Sequence, residues 1–175
     1  MKRVLFSLLF VSALFAGQAF GQVGKSVSPL QLIDANDKPK AIPSIGKKVI
    51  MIFYTDPDVK DVNDPLSEVV KAKGYPKDKY QAIGVANCKD TWIPNSGIRM
   101  KARQKEKQFP ESLILLDENH TLAQAWGLGD CNGAGVVVII GKDSKVKFVR
   151  NIKNAAESKA AISSVLKILD EEIAK

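Results

Sequence analysis

The sequence predicts one α/β domain, with helices on both faces of a central mixed sheet of about five strands and an N-terminal hairpin at one edge. The strongest indication is the segment 48–55, in which Val49 to Tyr54 are apolar or aromatic without alternation. Such a strand is covered on both faces, so it lies inside a sheet. A second indication is that strand-like runs alternate with helical patterns. The chain has 175 residues, 45% of them hydrophobic, which is enough for one core.

The order of elements follows from apolar periodicity and turn residues. In the edge hairpin, Pro39 and Pro43 disfavour pairing on both sides of a strand. The later strands are short apolar runs, and a strand, helix and strand in succession predict parallel pairing. The predicted elements are a hairpin over 30–42, the central strand 48–55, a helix over 64–74, a strand over 82–86, a helix over 97–108, a strand over 113–116, a short helix over 121–126, a hairpin of strands 135–140 and 146–149, and a final helix from 154.

Capping residues set the predicted helix starts. Asp64 is the expected cap of the first long helix, with Pro65 at its first position. Ser96 is the expected cap of the second. Asn154 and Glu157 have the spacing of a capping box before the final helix.

The first 21 residues predict a secretory signal peptide. A basic start precedes an apolar run over 4–16, and the small residues Ala19 and Gly21 mark the expected cleavage after Gly21, with cleavage after Ala19 as the second choice. The run is shorter than the roughly 20 residues that span a bilayer, so no stable membrane anchor is expected. The remaining domain, 22–175, is therefore expected in the periplasm or outside the cell, where disulfides form.

Cleavage removes Lys2 and Arg3, which lowers the formal net charge from +7 to +5. The remaining cations are scattered and show no aromatic-interleaved stripe, so nucleic acid is not expected as a partner. The modest positive charge is compatible with a weak anionic partner.

The order of elements resembles thioredoxin-like proteins of the peroxiredoxin and thiol-reductase type, from Val23 to Ile173. Four stretches resemble the YtfJ family of exported bacterial proteins: Cys88-Lys89-Asp90, Ile93-Pro94-Asn95-Ser96-Gly97, Leu115-Leu116-Asp117 and Ala123-Gln124-Ala125-Trp126. The resemblance implies a thioredoxin-like fold and carries over no activity.

The sequence departs from redox-active thioredoxin-like proteins at both halves of their site. After its central strand, a thioredoxin carries Cys-x-x-Cys and a peroxiredoxin carries one Cys, whereas the loop Thr55–Asp64 has none. Before the last hairpin, where those families place a cis-proline, this chain reads Cys131-Asn132-Gly133-Ala134-Gly135. No attacking thiolate is available at the usual place, so no catalytic residue is expected.

Cys88 and Cys131 are the only cysteines. Both are predicted at the same end of the sheet, although the central strand runs between them. Three interpretations remain open: a structural disulfide, two unpaired thiols, or a working redox pair. A disulfide requires Cα atoms within about 7 Å.

Ligand binding is predicted at the strand ends, where α/β sheets place their sites. Three segments are expected to converge there: the Thr55–Asp64 loop, the Ile93–Gly97 segment and the Asp130–Ala134 loop. The candidate residues are Asp56, Asp58, Asp61, Pro94, Ser96, Gly97, Arg99 and Asn132.

Several residues at this edge also have interpretations other than ligand binding. Ser96-Gly97 with Arg99 and Lys101 nearby could seat an anion, but a plain helix cap with a solvated basic face is the favoured interpretation. The loop acids fail the EF-hand spacing; a looser divalent site is the alternative, but helix capping and turn formation explain the acids at less cost, so no metal is expected. No cofactor is expected either. His120 is expected to be exposed in a turn, and Trp92 and Trp126 either line a groove or belong to the core.

The leading interpretation is a non-catalytic module that binds a protein or a small anionic ligand at the strand-end edge. The first alternative is an atypical thiol–disulfide protein that uses Cys88 and Cys131. The second is a structural domain stabilised by their disulfide.

Overall fold

The computed structural model describes residues 22–175, so the predicted signal peptide, 1–21, lies outside the described residues. Among the helices of that part of the chain, none is long and apolar enough to cross a bilayer. The elements are β1 (Gln31–Asp34), β2 (Pro39–Ala41), β3 (Val49–Thr55), α1 (Asp64–Ala72), β4 (Tyr80–Asn87), α2 (Asn95–Gln108), β5 (Ile114–Asp117), α3 (Thr121–Ala125), β6 (Gly135–Ile140), β7 (Val146–Ile152) and α4 (Ala155–Ala174).

The strands form one mixed sheet in the order β2-β1-β5-β4-β3-β6-β7. The central strand β3 runs parallel to β4 and antiparallel to β6, and β4 runs parallel to β5. The predicted α/β class with a central mixed sheet is confirmed. The sheet has seven strands rather than about five, because β1 pairs with β5 and thereby adds the N-terminal hairpin to the same sheet.

Successive residues of β3 point to opposite faces, which creates two separate cores. On one face, Ile52 and Tyr54 pack in a cluster with Leu122 of α3 and with Trp126. On the other face, Met51 packs with residues of α1 and α4. A smaller cluster, Cys88, Ile98 and Leu116, holds α2 against this second face.

Two of the predicted helix caps are wrong. Helix α1 begins at Asp64 itself, with Asn63 as its N-cap residue. Helix α2 begins at Asn95 with Pro94 as its N-cap, because the extended backbone of Pro94 (φ −59°, ψ 140°) precedes the first turn and its carbonyl accepts from the amides of Gly97 and Ile98. The Ser96 side chain therefore does not cap the helix.

The predicted cap of α4 is confirmed. The Asn154 side chain accepts a hydrogen bond from the Glu157 amide at 3.0 Å, and the Glu157 carboxylate accepts one from the Lys153 amide at 2.8 Å. Two backbone amides at the start of α4, those of Lys153 and Glu157, thus have side-chain partners.

Candidate functional site

A groove of about 330 Å³ lies on the sheet face that carries α1 and α2. Phe53 of β3 and Gly84 of β4 are register partners, as are Thr55 and Ala86, and these four residues form its floor. Because Gly84 has no side chain and Ala86 has only a methyl group, the floor is recessed between the helices. We call this the α1–α2 groove; its walls are formed by Pro57, Lys60, Asp61, Asp64, Ile93, Gly97, Ile98, Lys101, Ala102 and Lys105.

Two of the three segments predicted to converge meet in this groove. The Thr55–Asp64 loop and the Ile93–Gly97 segment both line it, and they contribute the predicted residues Asp61 and Gly97. The Asp130–Ala134 loop lines a different cavity. It is nevertheless connected to the Thr55–Asp64 loop, because Asp56 forms hydrogen bonds with the Asp130–Ala134 loop.

Asp56 is fully buried and connects the two loops through hydrogen bonds. Its Oδ1 accepts from the Asp58 amide at 2.9 Å and its Oδ2 from the Gly133 amide at 2.7 Å, while its own amide donates to the Ala134 carbonyl at 3.0 Å. Both carboxylate oxygens of Asp56, a predicted binding residue, therefore already accept backbone hydrogen bonds within the protein. Asp58 is exposed and accepts a hydrogen bond from the Thr91 hydroxyl at 2.9 Å, which joins the loop to the segment before α2.

The other predicted binding residues do not line the groove. Arg99 is 16% exposed at its side chain and forms ion pairs with Asp37 at 2.9 Å and Glu118 at 3.3 Å, so its charge is already compensated. Pro94 and Ser96 are exposed at the start of α2. Asn132 is exposed, and its amide donates to the Asp130 side chain at 3.1 Å, which is a local turn interaction.

The cations of the groove are on the α2 wall. Lys101 and Lys105 are exposed and one helical turn apart, and neither forms an ion pair with any carboxylate of residues 22–175. On the opposite wall, Lys60 pairs with Asp61. Burial and then the charge of Asp61 raise the pKa of Asp64, and Lys105 opposes this shift. The sequence predicted Lys101 as a cation near the Ser96-Gly97 segment, and Lys105 only as part of a basic run.

A second cavity, of about 300 Å³, lies beside α3 and includes His120, Asp90, Asp130 and Cys131 in its lining. The sequence placed His120 in an exposed turn, whereas its side chain is 28% exposed and its Nε2 lies 2.9 Å from Asp90 Oδ2. Asp90 Oδ2 also accepts from the Asn87 side chain at 2.6 Å. Thirty positions separate His120 from Asp90, so no local sequence signal connects them. Nowhere in the described range do three His, Cys, Asp or Glu side chains form a group able to hold a metal ion.

Both cysteines are free, buried thiols in the structure. Cys88 packs with Ile98 under α2, whereas Cys131 packs in the cluster of Tyr54 on the other face of the sheet. Burial, with repulsion from nearby carboxylates, raises the pKa of each thiol to about 12. A disulfide between them is not formed in this structure, and little thiolate exists near neutral pH.

The tryptophans have different environments. Trp126 is 4% exposed and belongs to the core below α3, so it lines no part of the α1–α2 groove. Trp92 is 84% exposed and precedes Ile93, a residue of the groove wall.

The comparisons with known proteins agree on family and fold. Residues 44–172 match the bacterial family described as "protein of unknown function (YtfJ_HI0045)". The chain is 24% identical to the uncharacterized protein YtfJ of Escherichia coli over 185 aligned positions, which cover 98% of this chain and 97% of that protein. It is 31% identical to an uncharacterized protein of Haemophilus influenzae over 96 positions, 54% of this chain and 50% of that protein.

Similar solved structures include a putative electron transfer protein from Aquifex aeolicus (TM-score 0.60, 14% identity, 87% of this chain and 98% of that one). They also include a putative thiol:disulfide interchange protein DsbE from Chlorobium tepidum (TM-score 0.58, 15% identity, 84% and 97%) and a putative thioredoxin from Neisseria meningitidis (TM-score 0.58, 18% identity, 87% and 95%). At these identities the likeness concerns the fold alone. The resemblance seen in the sequence is therefore confirmed: the fold is thioredoxin-like, and the chain belongs to the YtfJ family.

Proposed function

We propose that the protein is an exported, non-catalytic thioredoxin-like module whose ligand binds in the α1–α2 groove. The observation that carries the proposal is the place and lining of the groove. It lies where the parallel strands β3 and β4 end, which is where α/β sheets gather ligands. Its lining contains neither a cysteine nor a histidine. The groove can therefore hold a molecule, but it offers no thiol or imidazole that could react with that molecule.

The state of the cysteines supports a function without thiol chemistry. A working redox pair needs an accessible thiolate near a second sulfur. Cys88 and Cys131 are 7% and 3% exposed, and they belong to clusters on opposite faces of the sheet. A disulfide-stabilised domain would need the same two thiols to meet across β3. The geometry therefore favours the binding module over both alternatives.

Export rests on the first 21 residues, which have the order of a secretory signal: a basic start, an apolar run and small residues at the cleavage point. A module of this kind would meet its ligand in the periplasm or outside the cell.

The groove is tested with a neutral apolar probe and a variant that fills the floor. In Gly84→Val, the new side chain starts beside Ile114, where a Cβ meets its nearest atom at 3.6 Å, so the Cβ itself is accommodated without a clash. Amide chemical-shift mapping with octan-1-ol should show changes at Thr55, Ala86 and Ile98 in the wild type. These changes should shrink in Gly84→Ala and be lost in Gly84→Val.

A matched control is Ala41→Val, which also lengthens a strand side chain but lies on the exposed strand β2. It should bind octan-1-ol like the wild type. Circular dichroism and urea unfolding would establish that each variant is folded. Shifts confined to α4 or to the β1–β2 hairpin, or unchanged binding by a folded Gly84→Val, would contradict the proposal.

A further inference from the structure

We infer that the groove selects a small amphipathic anion: a molecule with one carboxylate or sulfonate and an aliphatic or aromatic body. The inference rests on the proposed function, because it names the ligand class of that same site. It goes further by assigning the anionic group to one wall, formed by Lys101 and Lys105.

The size of the groove limits the ligand. Its volume of about 330 Å³ is near the lower end of the range of small-molecule sites, roughly 300–1,000 Å³. A body of about eight carbon atoms with one charged group is compatible with such a volume.

The recess itself is apolar. Phe53 and Ala86 on the floor and Ile93 on the wall are only half-buried, so they keep apolar surface in contact with water. Ile98 and Ala102 of α2 continue this surface on the helix side. A ligand with an apolar body removes this surface from water, which is the main favourable term in binding.

The charges differ between the two walls. Lys101 and Lys105 are four residues apart on α2, so they lie on one face of the helix and can approach the same anionic group. Neither has a carboxylate partner within residues 22–175. On the other wall, Lys60 is paired with Asp61, and Asp64 adds a further carboxylate. An anion is therefore favoured against α2 and repelled from the wall that leads into α1.

The test uses three probes with the same eight-carbon body and different charge: octanoate, octan-1-ol and octylammonium. Amide shift titrations in low salt should give tighter binding for octanoate than for octan-1-ol, and the weakest binding for octylammonium. Lys101→Gln and Lys105→Gln should each weaken octanoate about two- to fivefold, as expected for a partly exposed ion pair, and leave octan-1-ol unchanged. Raising the salt concentration should reduce the preference for octanoate, because screening acts within about 10 Å at 0.1 M.

Two lysines provide matched controls. Lys60→Gln alters the opposite wall, where the ammonium is already paired with Asp61. Lys107→Gln lies on α2 but does not line the groove. Each removes one positive charge, so each should weaken octanoate less than Lys101→Gln and Lys105→Gln if the effect is local rather than one of net charge.

The outcomes separate this inference from the proposed function. Equal binding of all three probes at Thr55 and Ala86 would leave the groove as the site and overturn the charge preference. Binding of an acidic peptide, with no shift from octanoate, would also overturn the inference and point to a macromolecular partner. The absence of groove shifts with any probe would overturn both.

Discussion

Replacing Asp56 should loosen the strand-end loops, because one buried carboxylate holds two of them together. Its two oxygens each accept one backbone hydrogen bond, from Asp58 at 2.9 Å and from Gly133 at 2.7 Å. In Asp56→Ala both acceptors are lost. The backbone contact between the Asp56 amide and the Ala134 carbonyl does not depend on the side chain and can remain.

The size of the effect follows from these two bonds. A hydrogen bond to a charged group contributes about 1.5–3 kcal/mol. Asp58 and Gly133 are themselves exposed residues, so water recovers part of each bond after the substitution. We therefore expect the free energy of unfolding to fall by about 2–4 kcal/mol for the pair. For a domain of this size, this corresponds to a decrease in Tm of about 4–16 °C.

Urea unfolding followed by far-ultraviolet circular dichroism measures this loss. Asp56→Asn keeps one acceptor and should lose about half as much. Asp58→Ala is the matched control, because its exposed carboxylate accepts only from the Thr91 hydroxyl, and it should cost less than about 1 kcal/mol. If Asp56→Ala were as stable as Asp58→Ala, the Asp56 carboxylate would not be the group that holds the two strand-end loops together.

Four further predictions concern the thiols and the N-terminus. Iodoacetamide should modify Cys88 and Cys131 of the folded protein slowly up to pH 9, and both rapidly in urea; fast alkylation of the folded protein would contradict the buried thiols. Because folding raises the pKa of both thiols from 9.0 to about 12, the stability gained from keeping them protonated is fully present below pH 9 and is lost as the pH rises from 9 to 12. Urea unfolding at several pH values should show a smaller loss for Cys88→Ala. Insulin reduction and peroxide turnover should stay at background, and robust turnover that disappears in Cys88→Ser would refute a non-catalytic role. Mass spectrometry of the exported protein should find a chain beginning near Gln22, and retention of Met1 in a membrane fraction would refute export.

Strong local patterns accounted for most of the fold. The apolar run over 48–55 predicts the central strand, because a fully apolar run of that length has few structural solutions. The strand is observed at Val49–Thr55. The Asn154–Glu157 cap was located correctly because both partners lie within one helical turn. Such features need no knowledge of distant residues.

Features that depend on distant contacts were missed. The pairing of Ile33 with Leu116 makes the hairpin part of the main sheet, and no residue near either of them in the sequence indicates this pairing. The contact of His120 with Asp90 likewise arises only when the strand-end loops come together. The error at the start of α2 has a local cause instead, because the extended backbone of Pro94, rather than the expected Ser96, provides the N-cap position.

The sequence indicates which segments meet at this edge of the sheet, but not which side chains line the groove. Two of the three segments do line one groove, since the fold itself brings the ends of β3 and β4 together. Arg99 was expected to provide positive charge there, but Asp37 and Glu118 compensate it. Lys101, which the sequence predicted near the Ser96-Gly97 segment, and Lys105, predicted only as part of the basic run, do line the groove, because they lie on the same face of α2.

The most direct measurement is the set of intermolecular nuclear Overhauser effects between carbon-13-labelled octanoate and the protein. If the α1–α2 groove is the binding site, the methylene protons of the ligand should show contacts with the Phe53 ring and with the methyl groups of Ala86 and Ile98. The same contacts should vanish in Gly84→Val and persist in Ala41→Val. Contacts found instead with Ala123 and Gln124, which line the second cavity, would place the ligand on the other face of the sheet and contradict a binding function for the groove.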